Sequence, residues 1–367
     1  MSKLIGAGIA LAIAFAGAAC NGNGTPEDAP DYEVAPNRRA HGANDEATTA
    51  TPGPEGDPAT PSVPTCVDVK SDAHNCGRCG HDCEGGACSE GVCQAVELAK
   101  NIAIPQGAAV AADALYVTAY EGGAVLRLDK TSPGTPIVVT QATSSPSAIG
   151  VEVDAKGNAV RVIWGEEQGS SSNVKVCSVP TCTSATAVPT GADVHRIVVR
   201  GDTAYWTQSS TVAGGKVRKC TIADCPGTAA DVVANEPNAY GLALAPGDGA
   251  LFVDPVGIAV DATHRYIAGA GSAGISSCAL ASCDSATPFG AATNPHDIAS
   301  DDVDVYWTNG LATGGSVVSC PKAGCNGGVP RVVAPDQKNP YTIALDEHAI
   351  YWTSSVPGGS VMKIAKP

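Results

Sequence analysis

Three sets of residues in this 367-residue chain carry side chains that could do chemistry. The first is thiol: of fifteen cysteines, Cys20 stands alone, six lie between Cys66 and Cys93, and eight lie between Cys177 and Cys325. The second is imidazole with a charged neighbour, His195-Arg196 and His296-Asp297. The third is the acidic trio Asp301, Asp302 and Asp304, which could offer oxygen ligands to a hard cation such as calcium. Thiols make disulfides, bind zinc or exchange electrons, and paired imidazoles hold a metal or move protons. No Gly-x-Ser-x-Gly elbow, His-Glu-x-x-His or phosphate loop is present.

The eight later cysteines form four Cys-x4-Cys pairs: Cys177 with Cys182, Cys220 with Cys225, Cys278 with Cys283, and Cys320 with Cys325. A four-residue loop brings its flanking Cα atoms within the roughly 4.4–6.8 Å that a disulfide needs. Zinc would require further ligands in every repeat, and redox catalysis would require a Cys-x2-Cys beside a βαβ pattern. Disulfides are therefore expected. The earlier six, Cys66, Cys76, Cys79, Cys83, Cys88 and Cys93, permit three disulfides in any of fifteen connectivities. A zinc knuckle using Cys76, Cys79, His74 and His81 is the rival reading. Residues 65–94 are too short for a hydrophobic core and need covalent staples to fold. Such cysteine density belongs to an oxidising compartment.

Lys3 followed by the apolar run Leu4 to Ala16 reads as a signal segment covering residues 1–19. Gly17-Ala18-Ala19-Cys20 resembles a bacterial lipobox, which implies acylation of Cys20, and Asn21, standing where many inner-membrane lipoproteins carry a retention Asp, points to an outer-membrane or cell-surface address. Gly17 stands where that motif prefers Leu, and simple cleavage after Ala18 is the alternative. Residues 20–64 are rich in Pro, Gly, Ala, Thr, Asp and Glu, and read as an acylated cysteine followed by a disordered tether. The Asn75-Cys76-Gly77-Arg78-Cys79-Gly80-His81-Asp82-Cys83 signature resembles the Cys-rich repeat of the plant stigma-specific protein family, which implies no chemistry. A net charge of -15 with a pI of about 4.7 excludes a nucleic-acid partner.

The elements that must position these side chains come from a repeat over residues 95–367. Plain copies are Tyr205-Trp206-Thr207, Tyr306-Trp307-Thr308 and Tyr351-Trp352-Thr353. Weaker ones are Tyr116-Val117-Thr118, Ile163-Trp164-Gly165 and Tyr266-Ile267-Ala268. Each unit reads as four short strands with period-2 alternation and Gly/Pro punctuation, the pattern of a propeller blade. The triplets resemble the YWTD propellers of LDL-receptor-type proteins and related NHL-like and TolB-like six-bladed folds. The resemblance implies the fold. The motif's Asp is replaced by Gln208, Asn309 and Ser354, so no role of that Asp transfers.

The last repeat lacks a fourth strand, and Val96-Glu97-Leu98-Ala99 is an orphan strand that would complete it. The expected fold is therefore an all-β, six-bladed β-propeller with an N-terminal strand closing the last blade, preceded by a small disulfide-rich knot. Residues 238–254 carry extra alternation, read as an insertion or a partial seventh blade. The loops entering the innermost strands should gather Gln106, His195, Arg196, Tyr240, His296, Asp297 and Tyr341 at one mouth of the channel. The expected function is a membrane-anchored, extracytoplasmic binding or interaction protein with no catalytic residues, resident metal or cofactor. Its partners would be the membrane, through the lipid anchor, and a protein or glycan ligand. The alternatives are a lactonase-like propeller hydrolase or lyase with a channel metal, and a structural envelope lipoprotein.

Overall fold

The computed structural model describes residues 68–141, 144–209, 215–236, 239–247, 251–254, 256–269, 274–283 and 285–367. Cys20, the signal segment, the tether and Cys66 lie outside the described residues. Six four-stranded antiparallel sheets are arranged as blades. Blade 1 comprises Pro105–Val110, Leu115–Ala119, Ala124–Leu128 and Ile137–Gln141. Blade 2 begins at Ser145–Val153, blade 3 at Val194–Arg200, blade 4 at Gly257–Val260, blade 5 at Pro295–Ser300 and blade 6 at Pro340–Leu345. The orphan strand, Val96–Ile102, pairs with Gly359–Ala365 and completes blade 6, as the sequence implied.

Residues 238–254 supply a two-stranded sheet, Gly241–Leu244 with Leu251–Asp254. Its first strand packs against the inner strand of blade 3 on one side and that of blade 4 on the other. The insertion therefore sits in the inner ring as a two-stranded spoke beside the six complete blades.

The repeated triplet explains the ring. Both faces of a blade are covered by its neighbours, so consecutive strand residues can all be apolar. The Tyr of one blade packs in the same cluster as the Trp of the next: Tyr116 with Trp164, Tyr266 with Trp307, and Tyr306 with Trp352. Trp164, Trp206, Trp307 and Trp352 are at most 1% exposed. Tyr205 is the exception among the Tyr residues of the triplets, only half-buried, because the two-stranded spoke follows its blade.

The Thr of the triplet has a polar task. A β-bulge near the start of the inner strand in blades 1, 3, 5 and 6 leaves one N–H without a ladder partner. The Thr hydroxyl accepts it: Gly107 N to Thr118 at 2.8 Å, Arg196 N to Thr207 at 3.1 Å, Asp297 N to Thr308 at 3.1 Å and Thr342 N to Thr353 at 3.2 Å. The same hydroxyl donates to a carbonyl of the next ring member: Ser147 at 2.8 Å, Tyr240 at 3.1 Å, Tyr341 at 2.8 Å and Gln106 at 2.8 Å. Blade 2 has Gly165 at this position, where a Cβ would meet the Val194 Cβ at 2.6 Å. There the Ser147 hydroxyl makes the inter-blade bond, donating to the Val194 carbonyl at 2.8 Å.

At the opposite end of the blades the acids are structural. Tyr266, Tyr306 and Tyr351 donate to Asp261, Asp301 and Asp346 at 3.1, 3.0 and 2.9 Å. Each Asp also receives a Lys from the following blade: Lys322, Lys366 and Lys130 at 3.0, 2.9 and 2.8 Å. Within the acidic trio, Asp301 belongs to this latch and Asp304 pairs with Arg331 at 2.6 Å.

All four Cys-x4-Cys pairs are disulfides at the turn after the third strand. Cys177 is bonded to Cys182, Cys220 to Cys225, Cys278 to Cys283, and Cys320 to Cys325. Their Cα atoms lie 5.5, 4.9, 5.2 and 5.0 Å apart, inside the range expected from the four-residue loops. In each pair the third-strand cysteine, Cys177, Cys220, Cys278 or Cys320, is buried. Among the loop cysteines only Cys225, the first residue of the short helix Cys225–Thr228, is buried as deeply, whereas Cys182, Cys283 and Cys325 are half-buried. In the knot Cys76 joins Cys88 and Cys83 joins Cys93, and Cys79 is also disulfide-bonded. The sulfurs of Cys76, Cys83 and Cys93 lie within 4.8 Å of one another but belong to these bridges, so they are not free thiolates for zinc. The histidines of the rival zinc set are engaged elsewhere. His74 pairs with Asp82 at 2.6 Å, and His81 contacts the Cys76 carbonyl at 2.6 Å and the Lys366 carbonyl at 2.8 Å. The last contact docks the knot on blade 6. The disulfides mark an oxidising, extracytoplasmic location.

Candidate functional site

The seven residues expected at the mouth, Gln106, His195, Arg196, Tyr240, His296, Asp297 and Tyr341, all line one cavity of about 630 Å³. The sequence placed them in loops, whereas six of them belong to the first residues of inner strands and Tyr240 immediately precedes one. The bulges account for the arrangement. They interrupt period-2 alternation, so consecutive residues such as His195 and Arg196, or His296 and Asp297, both face the cavity.

Two tilted ring pairs form the rim. His195 lies 4.3 Å from the Tyr240 ring, and His296 lies 4.8 Å from the Tyr341 ring. His195 Nε2 is 2.5 Å from Ser209 Oγ. The His296 ring occupies the space where a side chain on Gly310 would stand, with Cδ2 1.7 Å from an ideal Cβ there, so a larger residue at that position would displace the ring. Burial holds both histidines below their ordinary pKa, against the attraction of Asp193 for His195 and of Asp297 for His296. Burial likewise pushes the Tyr341 phenol up.

One residue further along the strands, Arg196 of blade 3 reaches Asp297 of blade 5 at 2.7 Å. Asp297 is buried and fully engaged. One oxygen takes the Arg196 guanidinium and the Ile343 N–H at 3.0 Å, and the other takes the Ile298 N–H at 2.9 Å. This ion pair spans two non-adjacent blades just inside the rim.

Sequence reasoning missed Glu167, which lines the same cavity. Its Oε1 lies 3.9 Å from His195 Nδ1. Burial pushes its carboxyl up and Asp193 adds to the rise, while the Ser147 and Tyr120 hydroxyls oppose it. Glu167 ends the second strand of blade 2, two residues past the position of the triplet Thr. Tyr120, Ser209, Gly310 and Ser355 occupy that position in other blades, so reading this second column of the repeat would have found it. Asp254, which ends the spoke, is also raised by burial, to about 6, although the Val256 N–H opposes the rise.

The position of the missing motif Asp has its own use here. Glu166 and Gln208 accept the indole N–H of Trp164 and Trp206 at 3.2 and 3.3 Å, each two residues earlier.

No protein-family model and no curated protein matches the chain. Among solved structures it is similar to a gluconolactonase from Xanthomonas campestris, at 15% identity and a TM-score of 0.48 over 74% of this chain and 89% of that one. It is also similar to the PQQ-bound aldose sugar dehydrogenase from Streptomyces coelicolor, at 14% identity and a TM-score of 0.48 over 74% of this chain and 96% of that one. A chain of a nidogen–laminin complex has 18% identity and a TM-score of 0.40 over 60% of this chain and 77% of that one. At such identities the likeness concerns the fold and assigns no chemistry.

Proposed function

We propose that this chain is an exported binding protein, anchored at the cell envelope through acylated Cys20, and that it holds its ligand in the cavity at the His/Tyr mouth of the propeller. One observation carries the reading. Gln106, His195, Tyr240, His296 and Tyr341 come from five ring positions and line one cavity of about 630 Å³. That size suits a small ligand. The rim offers aromatic faces and neutral imidazoles, which recognise shape and hydrogen bonds.

The charge arrangement favours binding over metal-dependent catalysis. Asp297, the one carboxylate of the expected set, already neutralises Arg196 and would not serve a cation as well. Among the described residues, the one group of three or more close metal-ligating side chains is the disulfide-bonded cysteine trio.

A hydrolase reading has one observation in its favour. Glu167 and His195 lie 3.9 Å apart with pKa values moved towards each other, as an acid–base pair requires.

The test is a screen of the full chain against sugars, peptides and small amines, with the variant His195→Gln/Tyr341→Phe as control, and a lactone hydrolysis assay alongside. Saturable binding lost in the variant supports the reading. Turnover of a lactone that is lost in Glu167→Gln replaces it with the hydrolase. Cys20→Ala should move the protein from membrane to soluble fractions, and a wild type that is already soluble refutes the anchor.

A further inference from the structure

We infer that the mouth recognises a small organic ammonium ion, with the Glu167 carboxylate as its counter-charge and the rings of Tyr240 and Tyr341 as its walls. This rests on the mouth being the binding site and names the class of ligand it takes.

Charge accounting points to a cation. Arg196 is the one Lys or Arg among the described residues lining the cavity, and it is tied to Asp297 at 2.7 Å. Glu167 has no such partner. Its near neighbour His195 is held neutral by burial, so the 3.9 Å contact between them carries no ion pair at neutral pH. The hydroxyls beside Glu167 are those of Ser147 and Tyr120. Both are neutral, so they can donate hydrogen bonds to the carboxylate but cannot serve as its counter-charge. A carboxylate with 19% of its side chain exposed thus faces the cavity without a cation, with Asp193 adding negative potential. A desolvated carboxylate in that state is stabilised by any positive group that enters.

The walls suit the same ligand. Each Tyr ring is braced from the side by a histidine, Tyr240 by His195 and Tyr341 by His296. Aromatic faces around a carboxylate attract an ammonium group through the ring quadrupole as well as through charge. A neutral polyol gains neither term, and an anion is repelled by Glu167.

The experiment titrates the full chain with choline and with its neutral isostere 3,3-dimethyl-1-butanol, followed by NMR of the His and Tyr side chains. Choline is expected to bind at least tenfold more tightly. Glu167→Gln should abolish that preference, bringing the affinity for choline down to that for the alcohol. Equal affinity for the two probes, or a choline preference that survives Glu167→Gln, overturns the inference. If the alcohol or a neutral sugar shifts the His195 and Tyr341 signals and choline does not, the ammonium assignment falls and the binding-site reading stands. If neither probe nor any sugar or peptide shifts them, both fall.

Discussion

The Thr207 hydroxyl donates to the Tyr240 carbonyl at 3.1 Å, and this bond seats the two-stranded spoke in the ring. In blades 5 and 6 the equivalent Thr residues bond to the first inner-strand turn of the next full blade, at Tyr341 and Gln106. Blade 3 makes the same bond to a spoke of two strands. A ring member therefore needs only its inner strand to satisfy its neighbour's hydroxyl. The outer strands serve packing, which is why Tyr205 is left half-buried.

The first prediction concerns this hydroxyl. Thr308→Val keeps the shape but leaves the Asp297 N–H and the Tyr341 carbonyl without their partner. Because Thr308 is fully buried, the expected loss is about 1–3 kcal/mol in urea denaturation, with Thr308→Ser retaining most of the wild-type stability. Equal stability of the Val and wild-type proteins would refute the role assigned to the triplet Thr.

The second prediction concerns closure. Leu98 and Ala99 of the N-terminal strand are 2% and 5% exposed within the core of blades 6 and 1. Leu98→Ala should destabilise by about 2–4 kcal/mol. Deleting Val96 to Ala99 should open the edge of blade 6 and cause aggregation. A deletion variant with an unchanged melting temperature would show that the ring does not depend on this strand.

The third prediction is a pair of opposite pH effects. Burial raises Asp346, but the hydrogen bonds from Lys130, Ala349, His348 and Tyr351 outweigh it and hold the carboxyl at about 2, below its ordinary 3.8. A lowered pKa stabilises the fold above 3.8 and loses that contribution as pH falls towards 2. Asp346→Asn should therefore destabilise at pH 6 by roughly 1–2 kcal/mol, and the difference should vanish near pH 2. Asp254 has the other sign. Raised to about 6 by burial, it favours the fold when protonated and disfavours it as pH rises from 3.8 through 6. Asp254→Asn should stabilise the protein at pH 7 by about 1–2 kcal/mol. Melting curves of the two variants from pH 2 to 8 check both signs.

Much of this was legible in the sequence. The triplet repeat, the missing fourth strand and the Cys-x4-Cys spacing each follow from local pattern, and they lead to the blades, the closing strand and the four disulfides. The mouth residues were also legible, because they recur at one point of each repeat. Glu167 was not, because it belongs to a different column that holds Tyr, Ser and Gly elsewhere and so shows no repeating chemistry. The Arg196 to Asp297 pair could not be read either. Its partners are 101 residues apart, and only a closed ring brings them together. The insertion showed its two strands as alternation, but its seat in the ring depends on the Thr207 bond, a tertiary contact.

The last prediction tests that cross-channel pair. Asp297 holds the Arg196 guanidinium at 2.7 Å and also receives the backbone N–H of Ile343 in blade 6. Asp297→Asn keeps an acceptor for that N–H but leaves Arg196 without its counter-charge. Removing one partner of a fully buried pair costs about 3–5 kcal/mol. The Arg196 side chain is 29% exposed, so water screens part of the loss and about 1–3 kcal/mol is expected. Arg196→Met removes the cation and leaves Asp297 with its two backbone donors, so it should be the milder change. The double variant Arg196→Met/Asp297→Asn should then recover part of the sum, giving a coupling of more than about 1 kcal/mol in a double-mutant cycle. A coupling near zero would mean that the two side chains merely lie close and that the backbone donors alone hold Asp297. The ligand readout separates structure from recognition. If Arg196 is neutralised by Asp297 in the resting protein, Asp297→Asn frees a positive charge in the cavity and should weaken choline binding severalfold. Arg196→Met, which leaves extra negative charge there, should strengthen it. Opposite shifts from the two single variants are what a neutralised pair predicts, and shifts in the same direction would show that the pair does not set the charge of the mouth.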